Sequence, residues 1–305
     1  MSDNLAGPQA PAGAAAAGSP QRAAQAPDRG LGPAADTRPR RAAWTTSRGR
    51  LLAYRALFGL ALLVAWQAAS GRLIDPFWVS SPSRVGAFLW QLIRDGSIWG
   101  HLSVTLYETA TGFMIGAVAG IGTGFLLAPQ RTLAQVLDPY IVAFNGIPRI
   151  ALAPLFIIWF GIGPNSKVVL VVTVVFFLTF FNTYSGVRGV EQEYVNVLRI
   201  MGATPRQILW KVTVPATVPW IATGLKISVP YAIVGAIVGE FIAASRGLGY
   251  LINYYTALFS TTGALAGIII VALIVVVSSE AINYAEAYLL RWRPAAEARP
   301  EHEIS

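Results

Sequence analysis

No cysteine occurs among the 305 residues, which excludes both a disulfide framework and a thiolate metal site. Only two histidines are present, His101 and His302, and only 15 residues are acidic. Acid–base and metal chemistry therefore lack ingredients, and neither catalytic residues nor metal ligands are predicted. No G-x-x-x-x-G-K-[ST] loop is present, so the chain cannot cradle ATP phosphates by that route. Charge itself is scarce at 12% of residues. What fills the space is hydrophobic, at 54%, with a mean hydropathy of +0.54. That balance excludes an ordinary soluble domain and predicts an all-α, polytopic membrane protein.

Residues 1–43 are Ala, Pro, Gly, Gln and Arg with almost no large apolar side chains. Such a stretch cannot bury enough surface to offset its ordering entropy, so it is expected to be a disordered cytoplasmic tail. Its Ala14–Ala17 run is too short and too weakly apolar for the core of a signal peptide. Residues 294–305 read as a second flexible tail. Residues 44–293 hold six segments able to cross ~30 Å of hydrocarbon. They run Leu52–Ser70, Thr109–Ala128, Val136–Phe160, Val168–Val187, Ile221–Glu240 and Ala264–Ala285. Between the last two, Ser245–Ser260 is aromatic-rich and too short to span, so it should lie at the outer surface or re-enter.

The basic residues orient these spans. With both termini inside, sixteen of the 23 Lys and Arg residues are cytoplasmic and five are outside: Arg72, Arg84, Arg94, Lys167 and Arg246. The remaining two, Arg149 and Lys226, fall within spans. This is the positive-inside pattern. It accounts for the net charge of +8 without a nucleic-acid partner.

A polar insert, about residues 188–215, interrupts the apolar pattern on the cytoplasmic side. Tyr194, Val197, Leu198 and Met201 recur at i, i+3, i+4 and i+7, one apolar face of a short helix. Gly202 suits the left-handed turn that ends a helix. Thr204, Pro205 and Gln207 then carry a capping-box signature for a second short helix, expected to stop at Pro215 with Pro219 reinforcing the break. Two short helices bent at a glycine suit contact with a soluble partner.

Gly202, nine residues, then Val212-Thr213-Val214-Pro215 resembles the coupling loop of ABC-importer permeases, whose pattern is E-A-A, three residues, G, nine residues, I-x-L-P. The E-A-A positions are here Asn196, Val197 and Leu198, so the family's glutamate is missing. Ser80-Ser81-Pro82-Ser83, Ile147 to Leu155, Trp159-Phe160-Gly161 and Gly247 to Ile252 resemble the nitrate/sulfonate/taurine branch of the same family, in the same order. The resemblance covers roughly Val79 to Trp292. It implies a homodimer, a cytosolic ATPase pair that holds the ATP and Mg, and an extracytoplasmic solute-binding protein. It further implies an inner-membrane location and a small, anionic solute of the sulfonate, taurine or nitrate kind. Asn196, Arg199, Gly202, Ala203, Thr204, Pro205, Arg206, Val212 and Pro215 become the candidate ATPase-coupling residues. The rival reading, a stand-alone ion-coupled transporter, wants internal repeats and mid-depth carboxylates, whereas the acidic residues here gather near span ends.

Gly112, Gly116, Gly120 and Gly124 form a strict four-residue stripe, and Gly235 and Gly239 repeat it. Such stripes let helices approach closely in lipid, either as static packing or as a sliding contact. Pro148, Pro154 and Pro230 should kink or open their spans. Arg149, with Asn145 one turn earlier, sits mid-span, where a charge costs at least ~2.5–3.5 kcal/mol and needs a cavity or a partner. It either contacts an anionic solute or pairs within the protein. Lys226 and Tyr231 are the other candidate pathway groups, with helix–helix hydrogen bonding as the alternative. Glu280 and Glu286 are expected to pair with arginines such as Arg291. Glu240 ends its span where it could anchor the Gly247–Gly249 segment.

Overall fold

A computed structural model describes residues 48–291, so the two predicted tails lie outside the described residues. Within that range the regular structure is helical, apart from one isolated bridge between Ser70 and Ile74. Among the described residues five helices are long and apolar enough to cross a membrane, or six if a bent pair counts as one crossing.

The first spanning helix, α1 (Arg48–Ala69), leaves residues 53–65 largely exposed. Near its end, Trp66 Nε1 donates to the Val79 carbonyl (3.2 Å) and Gln67 Oε1 accepts from Ser83 N (3.1 Å). Those partners belong to α2 (Pro76–Val79) and α3 (Pro82–Arg94), each started by proline at a position where the missing N–H is harmless. The second spanning helix, α4 (Ser97–Leu127), begins twelve residues before the hydropathy pattern indicated.

The centre of the molecule is α4 packed along α7 (Pro164–Arg188). All four stripe glycines are buried, and a Cβ at Gly112, Gly116 or Gly124 would stand 2.5–2.9 Å from Val171, Val175 or Thr183. A helix without side chains on one face has let its neighbour settle onto bare backbone. On the other side of α7 runs α10 (Val214–Ile242), where Gly224 meets Asn182 and Gly186 meets Trp220. Ala117, Val171, Val175, Ala232 and Ala236 form the small-residue core where α4, α7 and α10 meet.

The second glycine pair is not one device. A Cβ at Gly235 would make ordinary contacts at 3.6 Å or more, whereas one at Gly239 would stand 2.8 Å from Lys167 Cγ. Only Gly239 needs to be glycine for space.

The third span breaks at its prolines. The helix α5 (Arg131–Gly146) ends where Ile147, preceding Pro148, is forced extended (ψ 126°). A single 3₁₀ turn, Arg149–Leu152, then leads into α6 (Ala153–Phe160), and the two limbs are bent by 81°.

One expectation about the polar insert is corrected. The chain does not stop at Pro215: the helices α9 (Pro205–Ile208) and α10 join through a π turn, Leu209–Thr213, giving one helical path from Pro205 to Ile242. The wider i→i+5 turn accommodates the missing amide of Pro215, and Val214 N donates to Leu209 O. Downstream, Thr217 Oγ1 donates to Thr213 O (2.7 Å) and Thr223 Oγ1 to Pro219 O (3.0 Å), each a hydroxyl bond back to the preceding turn. Separately, Glu286 pairs with Lys226 at 3.3 Å, and Arg291 stacks over Tyr288. The partner sits 60 positions away on another helix, which spacing along one helix cannot reveal.

At the end of α10 opposite that insert, α11 (Leu248–Ala257) folds back against α12 (Thr261–Leu289). Leu248, Leu251 and Ile252 are buried there, so the segment is a docked short helix rather than a span.

Candidate functional site

The polar insert folds as a small hairpin of helices with its own core. Its first arm, α8 (Gln192–Ile200), ends in a Schellman turn: Ala203 N donates to Leu198 O (2.9 Å) and Gly202 N to Arg199 O (3.0 Å). Gly202 takes the left-handed conformation this requires, φ +77°. Thr204 then caps α9, with Thr204 N donating to Gln207 Oε1 (2.8 Å) and Gln207 N to Thr204 Oγ1 (3.3 Å). Val190, Val195 and Ile208 are buried together, and Leu198, Ala203 and Val212 pack against them.

This core divides the predicted apolar face. Leu198 turns inward, but Tyr194, Val197 and Met201 stay exposed, and Ile200, absent from the predicted set, is 87% exposed. The helix carries two apolar strips, and the inward one is Val195 with Leu198, three residues apart. Asn196, at the position of the family's first E-A-A residue, is exposed, as are Arg199, Pro205 and Arg206. Beside α8 an open cavity of about 650 Å³ is lined by Arg188, Gln192, Arg199 and Thr213 among others.

Because a Cβ at Gly202 would meet nothing within 4 Å, substitution there acts through backbone strain alone. A Gly202→Val variant is expected to lose roughly 1–2 kcal/mol of local turn stability. Membrane insertion should persist, while recovery of a bound ATPase on purification falls. Normal recovery would show that this turn does not shape the partner surface.

Of the candidate pathway residues, the structure joins two. Arg149 Nη2 donates to Asn145 Oδ1, and its guanidinium carbon lies 5.0 Å from the centre of the Phe177 ring. Its Nε is buried without a partner. Lys226 is turned to Glu286 instead, and Tyr231 is exposed on α10. Glu240, expected to anchor the Gly247–Gly249 segment, accepts from Gly249 N (2.6 Å) and from Thr105 Oγ1 (2.7 Å), and sequence reasoning passed over the side chains that gather with it, Thr105, Glu108 and Lys167. The i, i+4 spacing of His101 and Thr105, with Glu108 next along that face, was the available signal.

Residues 112–288 match the family of binding-protein-dependent transport system inner membrane components. The chain belongs to this family. The match runs from the glycine stripe of α4 to the last turn of α12, with the hairpin inside it. A formylaminopyrimidine transport permease protein, ThiX of Halalkalibacterium halodurans, is 35% identical over 78% of this chain and 94% of its own length. The taurine transport system permease protein TauC of Escherichia coli is 30% identical over 82% of this chain and 92% of its own. The riboflavin transport system permease protein RibX of Chloroflexus aurantiacus is 35% identical over 76% and 87%. Among solved structures, the inward-facing MetNI methionine ABC transporter superposes with a TM-score of 0.52 at 23% identity, covering 66% of this chain and 95% of that one. This family member is an ABC-importer permease subunit and a multi-pass inner-membrane protein.

Proposed function

We propose that two copies of this chain form the pathway of an importer for a small anionic solute, driven by a cytosolic ATPase pair docked under the α8–α9 hairpins. ATP and its Mg are held by those ATPase subunits, and an extracytoplasmic binding protein delivers the solute. Both termini face the cytoplasm. The observation that carries the docking is the exposed apolar tip formed by Tyr194, Val197, Ile200 and Met201. Exposed apolar groups on a loop beyond the hydrocarbon are costly unless something covers them. The unbroken helical path from Pro205 to Ile242 would carry a push on the hairpin into the bundle as a rigid-body movement.

The solute's charge rests on Arg149, a half-buried guanidinium whose described partners, Asn145 and Phe177, are neutral and whose Nε is free. The relatives' names include taurine, a formylaminopyrimidine and riboflavin, and among these Arg149 favours the anionic reading. Uptake of radiolabelled taurine, measured per assembled complex, tests it. Arg149→Gln should lower uptake about tenfold or more, since charge-assisted bonds are worth ~1.5–3 kcal/mol. Arg149→Lys should recover part of it, keeping the charge while losing the planar fork. Unchanged uptake per complex in the Gln variant would remove Arg149 from the pathway.

A further inference from the structure

The end of the bundle away from the hairpin holds a buried ionic cluster that packing alone does not require. Glu108 on α4, Lys167 on α7 and Glu240 on α10 are each no more than 2% exposed. Glu240 accepts from Thr105 Oγ1 (2.7 Å) and from Gly249 N (2.6 Å), and Thr105 Oγ1 in turn accepts from Leu248 N (2.8 Å). One turn earlier on α4, His101 Nδ1 lies 3.2 Å from Gly247 N and 3.0 Å from Gly247 O, with its ring stacked on Tyr250. The free amides that begin α11 are thus met by side chains of two other helices.

The Gly-Leu-Gly sequence is cut to fit. A Cβ at Gly247 would stand 2.6 Å from Glu240 Oε2, and one at Gly249 would stand 2.6 Å from Ile237 O and 2.8 Å from Glu240 Cβ. Gly247 also takes φ +115°, which disfavours any side chain, while Leu248 between them is fully buried. At the other end of α11, Phe259 has φ +55°. The helix is therefore bounded at both ends by backbone positions of positive φ. Glu108 stands beside Glu240 in the same buried cluster, with its Oε2 lacking a conventional donor.

We propose that Glu240, with Thr105, is the latch that holds α11 closed over this end of the pathway, and that it releases when α4 and α10 move apart. The role rests on the ATP-driven importer reading above. Glu240 and Thr105 are positioning residues here, since they act through α11. Bonds to three elements close only when α4, α10 and α11 converge, so the movement that opens the pathway breaks them together.

The natural absence of cysteine allows a direct test. A single cysteine at Ile252, buried in the latched helix, is exposed to a membrane-impermeant maleimide in right-side-out vesicles holding the full importer. Removing the carboxylate by Glu240→Gln, or only the hydroxyl bridge by Thr105→Val, should speed labelling about 5–30-fold, the range expected when one or two strong contacts are lost. Thr105→Ser should restore the slow rate. A control cysteine at Gln207 should stay unlabelled from that side. Equal labelling in the Thr105→Val and Thr105→Ser proteins would overturn the latch even if Glu240→Gln fails to assemble. Absence of ATP-driven uptake by the parent importer would instead retire the importer reading, an outcome that the labelling rates do not produce.

Discussion

Replacing Gly120 with alanine is expected to reduce folded protein sharply, while the same change at Gly235 leaves it at the parent level or slightly above. Both positions are buried glycines in four-residue spacing on spanning helices. At Gly120 a Cβ would overlap Thr179 Oγ1 and stand 2.6 Å from the Phe176 carbonyl and 3.0 Å from Phe180 N. Two of those three atoms are backbone, so α4 and α7 would have to separate rather than adjust a side chain. Overpacking of this kind costs ~1–3 kcal/mol, occasionally more. Against the marginal stability of folded proteins, that is a drop of about 5–30-fold or more in the folded-to-unfolded ratio. At Gly235 the new methyl would touch Val171 and Val174 at 3.6–3.8 Å, ordinary contact distance, and alanine is the better helix former. Monodisperse yield and thermal midpoint in detergent read the difference. Equal losses at both sites would mean that α4 and α7 are not held at the separation seen here.

That contrast marks where the sequence was legible. A four-residue glycine repeat states that a helix has a bare face, but not which face has a neighbour close enough to need it. The hairpin was legible because its signals are local: Gly202 at a Schellman turn, Thr204 with Gln207 in a capping box, and a small apolar core around Val195. The break at Pro148 was legible for the same reason. Pro215 misled because a π turn is a backbone adjustment with no residue of its own to announce it. The first twelve residues of α4 carry Ser97, His101, Ser103, Thr105 and Glu108, so a hydropathy window reads them as loop. Ser97 and Ser103 bond to the nearby Leu92 and Gly100 carbonyls, whereas His101 and Thr105 reach Gly247, Leu248 and Glu240 on α11, its preceding turn and α10. Long-range pairing such as Lys226 with Glu286 is set by tertiary packing and leaves no periodic trace.

The second large effect is expected at the tip of the hairpin. Ile200→Asp should nearly abolish both ATPase recovery and ATP-driven uptake while leaving the permease itself intact. Ile200 is 87% exposed and its neighbour Met201 is 76% exposed, so a carboxylate at position 200 displaces nothing within the chain. In an assembled importer that position would be covered, and a charge there would be desolvated against apolar groups. Central interface positions of this type cost at least ~2 kcal/mol when lost, or about thirtyfold in affinity. With the glutamate of the coupling pattern replaced by exposed Asn196, an ATPase docked there would rely on the apolar tip more than on a charged contact. Val195→Asp provides the comparison, because Val195 is only 8% exposed and lies in the hairpin's own core beside Val190 and Ile208. That variant should lose the hairpin's order, read as faster proteolysis near Arg199 and Arg206, together with ATPase binding. Ile200→Asp should resist the protease as the parent does and lose only the partner. If Ile200→Asp retains full ATPase recovery, the docking surface lies elsewhere on the cytoplasmic face.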